Sequence, residues 1–204
     1  MLTLAVGCLM APLAACGGGG DTALATPTET AVPGHPLSER SGNEQIDRFL
    51  DALISGDRAA LARMLALVDM PCTSEQMLGG PPACQTGVAP GTMVGAFPMG
   101  QGCEGSFIDA ATAERVVAEV PAGARIFAAY AQPPAAGDTL KFEFPRGALV
   151  VVLTYPSGSS QHPVASRTIH ITDGRIVTVS GWCLQSPSDR VAGVAASAFL
   201  VPPP

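Results

Sequence analysis

Lysine is nearly missing from this 204-residue chain. Lys141 stands alone beside ten arginines, and basic residues nowhere cluster. With a formal net charge of −6, this excludes nucleic acid as a partner, and binding to anionic lipid by charge alone. Charged residues of all kinds make up 14%, well under the roughly 25% of an average soluble protein. No apolar run approaches the ~18 residues that a membrane-spanning helix needs. There is no CxxC and no G-x-S-x-G. Hydrophobic residues, by contrast, reach 47%, enough to build one core. Glycine and proline together number 23 + 19 = 42, which predicts many turns. The balance points to one small exported globular domain with tails.

Residues 2–15 read LTLAVGCLMAPLAA, an apolar stretch ending in small residues. This is the pattern of a secretory signal over 1–15, too short to span a bilayer. Nothing basic precedes it, so a start upstream of Met1 is expected. Leu13-Ala14-Ala15-Cys16 resembles the lipobox of bacterial lipoproteins. The resemblance implies that Cys16 carries a diacylglyceryl thioether and palmitate, and becomes the mature N-terminus. Two or more acyl chains hold a protein stably on a membrane. Residues 16–40 are rich in Gly, Thr and Pro and are expected as a flexible tether. The implied location is the cell envelope, on the extracytoplasmic face of a membrane. Gly17 after the lipidated cysteine permits an outer membrane.

Six cysteines are present. Cys8 leaves with the signal and Cys16 is lipidated. Cys72, Cys84, Cys103 and Cys183 remain, an even count that predicts two disulfides in an exported chain. Three pairings are open; Cys72–Cys84 with Cys103–Cys183 is favoured. The spacings of 12, 19 and 80 fit no common zinc pattern, and no metal or cofactor is expected.

Ser41-Gly42-Asn43-Glu44 matches a capping box. Behind it Ile46, Phe49, Leu50, Leu53 and Ile54 recur at helical spacing, and Gly56 is a stop signal. Asp57 is expected to cap a second helix with Leu61, Met64 and Leu65 inward. Strands are expected at 66–71 and 92–98, and a Pro/Gly loop at 72–92. Asp109 is expected to cap a third helix carrying Ala113, Val116, Val117 and Val120 on one side. Beyond it strands are expected at 124–131, 140–144 and 148–155. Two more, at 164–172 and 175–183, flank Asp173-Gly174, a strong hairpin signal. A plain two-residue turn pairs Ile171 with Ile176, His170 with Val177 and Ile169 with Thr178. One face is then Ile169, Ile171, Ile176, Thr178 and Trp182, and the other Thr168, His170, Val177 and Val179. The domain is expected over 41–184, with a Pro-rich tail over 185–204 whose patch at 191–201 docks on it. Helices segregated from an antiparallel sheet define an α+β fold.

This element order, with ISGDRAALARML closing the second helix, resembles the nuclear transport factor 2-like superfamily. The resemblance implies a curved sheet wrapped as a cone around the first helix, with a cavity at its mouth. The insert at 72–92 departs from the family pattern. The superfamily holds isomerases, cyclases, binding domains and dimerising domains, so fold does not decide function.

Gly100-Gln101-Gly102-Cys103-Glu104-Gly105 matches G-x-G-x-x-G, but the acidic residue wanted about twenty positions on is Arg125. A tight Gly-rich loop is the better reading. Ser166, His170 and Asp173 are close in sequence, yet Asp173 belongs to a turn and no nucleophile elbow exists. His35, His162 and His170 are scattered and form no metal pattern. Asp69, beside Val68 and Met70, is the least explained acid. Asp69 and His170 are therefore the candidates for acid–base work in a cavity. Three readings of function follow. The preferred one is a non-catalytic domain that binds a small molecule or protein. The others are an isomerase or cyclase, and a structural module that forms homodimers.

Overall fold

The computed structural model describes residues 31–101, 104–132, 144–181 and 186–204. Its first helix, α1, spans Glu44–Ser55. Asn43, not Ser41, caps it: Asn43 Oδ1 accepts from the Gln45 and Ile46 N–H groups at 3.0 and 3.4 Å. Ser41 Oγ instead donates to Asp47 Oδ1 at 2.8 Å and accepts from Asn43 N at 3.1 Å. The expected capping box does not form, and the N-cap sits two residues later. Gly56, at φ 66°, ends the helix in the left-handed conformation that its missing Cβ allows. Ile46, Phe49, Leu50 and Leu53 are buried, whereas Ile54, expected to join them, is exposed.

Asp57 caps α2 (Arg58–Met64), which buries Leu61 and Met64. Asp109 caps α3 (Ala110–Ala118), accepting from Ala111 N and Thr112 N. Among the described residues eight strands accompany the helices: β1 Val68–Pro71, β2 Met93–Gln101, β3 Glu104–Asp109, β4 Arg125–Ala131, β5 Leu149–Pro156, β6 Val164–Thr172, β7 Arg175–Ser180 and β8 Phe199–Val201. They form one sheet in the order β1-β2-β7-β6-β5-β4-β8, with β3 also paired to β2. All pairings are antiparallel except β2 with β7, which is parallel. The fold is therefore α+β, with three helices and a mixed sheet among the described residues.

Two elements differ from the expectation. The Gly-rich segment is not merely a loop, because β2 and β3 run through it as a hairpin with Gly100 opposite Gly105. A strand leading into a strand has no helix N-terminus to receive a phosphate. The segment 185–204, expected as a tail docked through its patch at 191–201, does pack on the domain but also contributes a strand, β8, which pairs with β4 and buries Val201. At the other end His35 bridges Ile126, and the Pro33 carbonyl accepts from Thr154 Oγ1 at 2.5 Å. The chain is thus seated on the sheet before residue 41.

The two faces of the sheet bury different groups. The helices cover one face, closing a core of Ile46, Phe49, Leu50, Phe97, Val151, Ile169, Ile171, Ile176 and Val179 among others. Arg167 Nη1 donates to the Val116 and Glu119 carbonyls at 2.8 and 3.0 Å, a cation at the end of α3 where the helix dipole favours it. The opposite face carries a smaller cluster, Phe127, Ala128, Tyr130, Val150 and Val152, packed under Val191, Val194 and Phe199.

Cys72 and Cys84 form a disulfide with Cα atoms 4.9 Å apart. The loop that it closes lies along β3: Gly79 N donates to Gly105 O at 2.6 Å, and Phe107 N to Gly80 O at 3.1 Å. Cys16, Cys103, Cys183, Trp182 and most of the expected strand at 140–144 lie outside the described residues. None of the described helices is long and apolar enough to cross a membrane.

Candidate functional site

The face away from the helices is where the polar side chains gather. Its register makes two rows across four strands. One row runs Tyr130, Val150, His170, Thr178. The next runs Ala128, Val152, Thr168, Ser180. Apart from the Tyr130 hydroxyl, each row is apolar on β4–β5 and polar on β6–β7.

A β-bulge creates the polar half. The Asp173-Gly174 turn forms as expected, with φ of 49° and 71°, and Ile171 faces Ile176. The register then shifts, so His170 faces Thr178 rather than Val177, and Ile169 faces Val179 rather than Thr178. The extra residue reverses the alternation beyond it. Val179 enters the core, and Thr178 joins His170 on the opposite face.

Two segments pack on this face. In the first, residues 144–147, Phe144 meets Phe107 edge-on at 5.4 Å. The Pro145 carbonyl accepts from Thr178 Oγ1 at 2.5 Å, and Gly147 N approaches His170 Nδ1 at 3.4 Å. A Cβ at Gly147 would lie 2.4 Å from Ile171 N, so only glycine permits this approach. The second segment, from Ser186 to Phe199, brings in Arg190. Tyr130 donates to the Arg190 carbonyl at 3.4 Å. The Arg190 guanidinium donates to Ser180 Oγ at 3.3 Å and to the Gly181 carbonyl. Arg190 therefore has its backbone at Tyr130 on β4 and its guanidinium at Ser180 on β7. Arg190 thereby joins a hydroxyl of β4 to one of β7 across this face.

Electrostatics follow from that placement. Burial, reinforced by Arg146 and Arg190, pulls the His170 pKa down to about 4. The ring is thus neutral at pH 7. With Nδ1 facing Gly147 N–H, its proton sits on Nε2. Burial also raises the Tyr130 pKa against the opposing pull of Arg146 and Arg190. Among the described residues, three buried side-chain polar atoms have no hydrogen-bond partner: Ser166 Oγ, Thr168 Oγ1 and Arg190 Nε. Orphaned buried donors are rare in folded proteins.

The other candidates separate. Asp69 is exposed on β1, a strand at the sheet edge. It does not sit in an apolar cavity, which corrects the ground on which it was chosen. Apolar neighbours in sequence alternate to the two sides of a strand and need not surround the residue between them. Ser166 and His170 share one face of β6 but lie four residues apart, about 13 Å at the strand rise; Asp173 is in the turn. They form no triad. Asp109 is engaged as a cap. Its partial burial raises the carboxyl pKa, and the hydrogen bonds from Thr112 and Ala111 outweigh that and lower it. His35 Nε2 lies 2.9 Å from Pro202 O, away from the rows. Arg190 escaped sequence reasoning because nothing local marks one arginine in a supposed tail.

No protein-family model matches the chain, and searches of curated proteins and of solved structures find no match.

Proposed function

We propose that this chain is an envelope lipoprotein whose domain binds a small molecule or protein without catalysing a reaction. Cys16 carries the lipid, and the segment between it and Pro33, where the chain reaches the sheet, spaces the domain from the membrane. The proposal includes the cone-like, nuclear transport factor 2-like curvature of the sheet around α1. The lipobox sequence supports the anchor. The observation that supports binding is the pair of rows beneath Arg190, where a cation, a neutral imidazole and hydroxyl groups gather on one face. A proton carrier at neutral pH works best with a pKa near 7. His170, held near 4, is instead suited to donate a hydrogen bond from Nε2. The exposure of Asp69 weighs against an isomerase or cyclase.

Native mass spectrometry tests the binding reading, on the chain from residue 16 to 204 with Cys16→Ser, exported to an oxidising compartment. A retained small molecule or a co-purified protein is expected. A bare chain that also turns over a substrate, and loses this in His170→Gln, would replace binding by catalysis. Palmitate labelling of the wild type against Cys16→Ala tests the anchor; equal labelling would remove it.

A further inference from the structure

We propose that the polar half of the two rows, Thr168 and His170 beneath Arg190, is a site for a compact carboxylate. This rests on the binding reading above and names the ligand class.

Three donors support it. Arg190 Nε–H is buried and unpartnered, and so is the Thr168 hydroxyl. The His170 ring offers Nε2–H, its other nitrogen being turned to Gly147 N–H. The register brings the three together. Thr168 and His170 are two residues apart on one strand and share a face, and Arg190 reaches Ser180, which lies directly opposite Thr168. The two Nη groups of the guanidinium donate to Ser180 and Gly181, so its orientation is set before any ligand arrives and Nε–H is the donor left over. Such preorganisation reduces the cost of binding.

Donor number selects the class. Arg190 is the cation hydrogen-bonded to the row, and Arg146 adds to the positive field at His170. Three donors suit the two oxygens of a carboxylate and leave the further oxygens of a phosphate without partners. Thr168 is 5% exposed and forms the floor. His170 and Arg190 are only partly buried, so a ligand would approach from their side. The neighbouring apolar positions, Val150 and Val152, are covered by the C-terminal segment, which limits the ligand to a small body.

The test is calorimetry on the same 16–204 chain with sodium acetate, inorganic phosphate and sodium chloride at matched ionic strength. Acetate is expected to bind saturably and more tightly than phosphate. Losing a hydrogen bond to a charged group should cost roughly tenfold in affinity or more, so R190Q and the near-isosteric T168V should each weaken acetate by about that factor. T168V keeps the fold intact and carries the test if R190Q loosens the C-terminal segment. Acetate binding no better than chloride, or unchanged in both variants, overturns the site. Tighter phosphate overturns the carboxylate class. If a neutral molecule is retained in native mass spectra while acetate fails, the carboxylate site falls and the binding reading stands. If nothing is retained and acetate fails, both fall.

Discussion

Ile169 lies opposite Val179 across the β6–β7 ladder, not opposite Thr178. One bulged residue near Val177 sets that pairing. It puts Val179 in the main core and leaves Thr178 to accompany His170 on the polar face. A hairpin without the bulge would bury the threonine in the core and leave the valine outside.

The bulge predicts an order of variant stabilities. Val179→Thr places a hydroxyl in an apolar core and should cost about 1–3 kcal/mol. Thr178→Val loses a bond to the exposed Pro145 carbonyl and should cost about 1 kcal/mol or less. Urea unfolding of both checks this, and the reverse order would restore the unbulged register.

His170 predicts a pH dependence. Its pKa is about 4 in the folded chain and about 6.5 when unfolded. Between these values the unfolded state binds more protons. Stability is therefore full above pH 6.5 and falls as the pH drops toward 4, by up to about 3 kcal/mol in total. His170→Gln should flatten this window in unfolding curves taken at stepped pH. Asp109 acts lower down: its folded pKa is depressed, so its contribution is present above its unfolded value and lost as the pH falls through the folded one.

Val201 is 2% exposed on β8, and removing its two methyl groups should cost about 1–2 kcal/mol. Val201→Ala should lower the denaturant midpoint accordingly. An unchanged midpoint would return residues 185–204 to a loose tail.

The second disulfide is the remaining expectation. Gly100 and Ser180 are parallel neighbours, and Cys103 and Cys183 each follow three residues later in the sequence. Peptide mapping without reductant should recover Cys72–Cys84 and Cys103–Cys183. A free thiol at either of the latter would remove the second bridge.

Parts of this fold were legible locally. Asp57 and Asp109 cap helices, Gly56 stops one, and Asp173-Gly174 turns a hairpin, because each signal acts within a few residues of itself. Ser41 misled because Ser and Asn are both good caps, and only the Ser41–Asp47 contact leaves Asn43 to do it. Strand β3, with Gly105 and Ser106, has weak strand preference and exists because β2 pairs with it. Strand β8 is three residues long, below what alternation can reveal. Ile54 fits the helical repeat, but the repeat alone does not say how wide a stripe the sheet will cover.

The amino-acid sequence alone determined the helices, the central buried strands, the turn and the class of fold, because caps, periodicity and burial tendency are properties of short windows. Tertiary structure alone decided the register beyond the bulge, the seating of the C-terminal segment, and the meeting of Arg190 with Thr168 and His170. Those depend on pairing between residues far apart in the chain. In a strand of period two, a shift of one position exchanges the face that reaches the core for the one that does not.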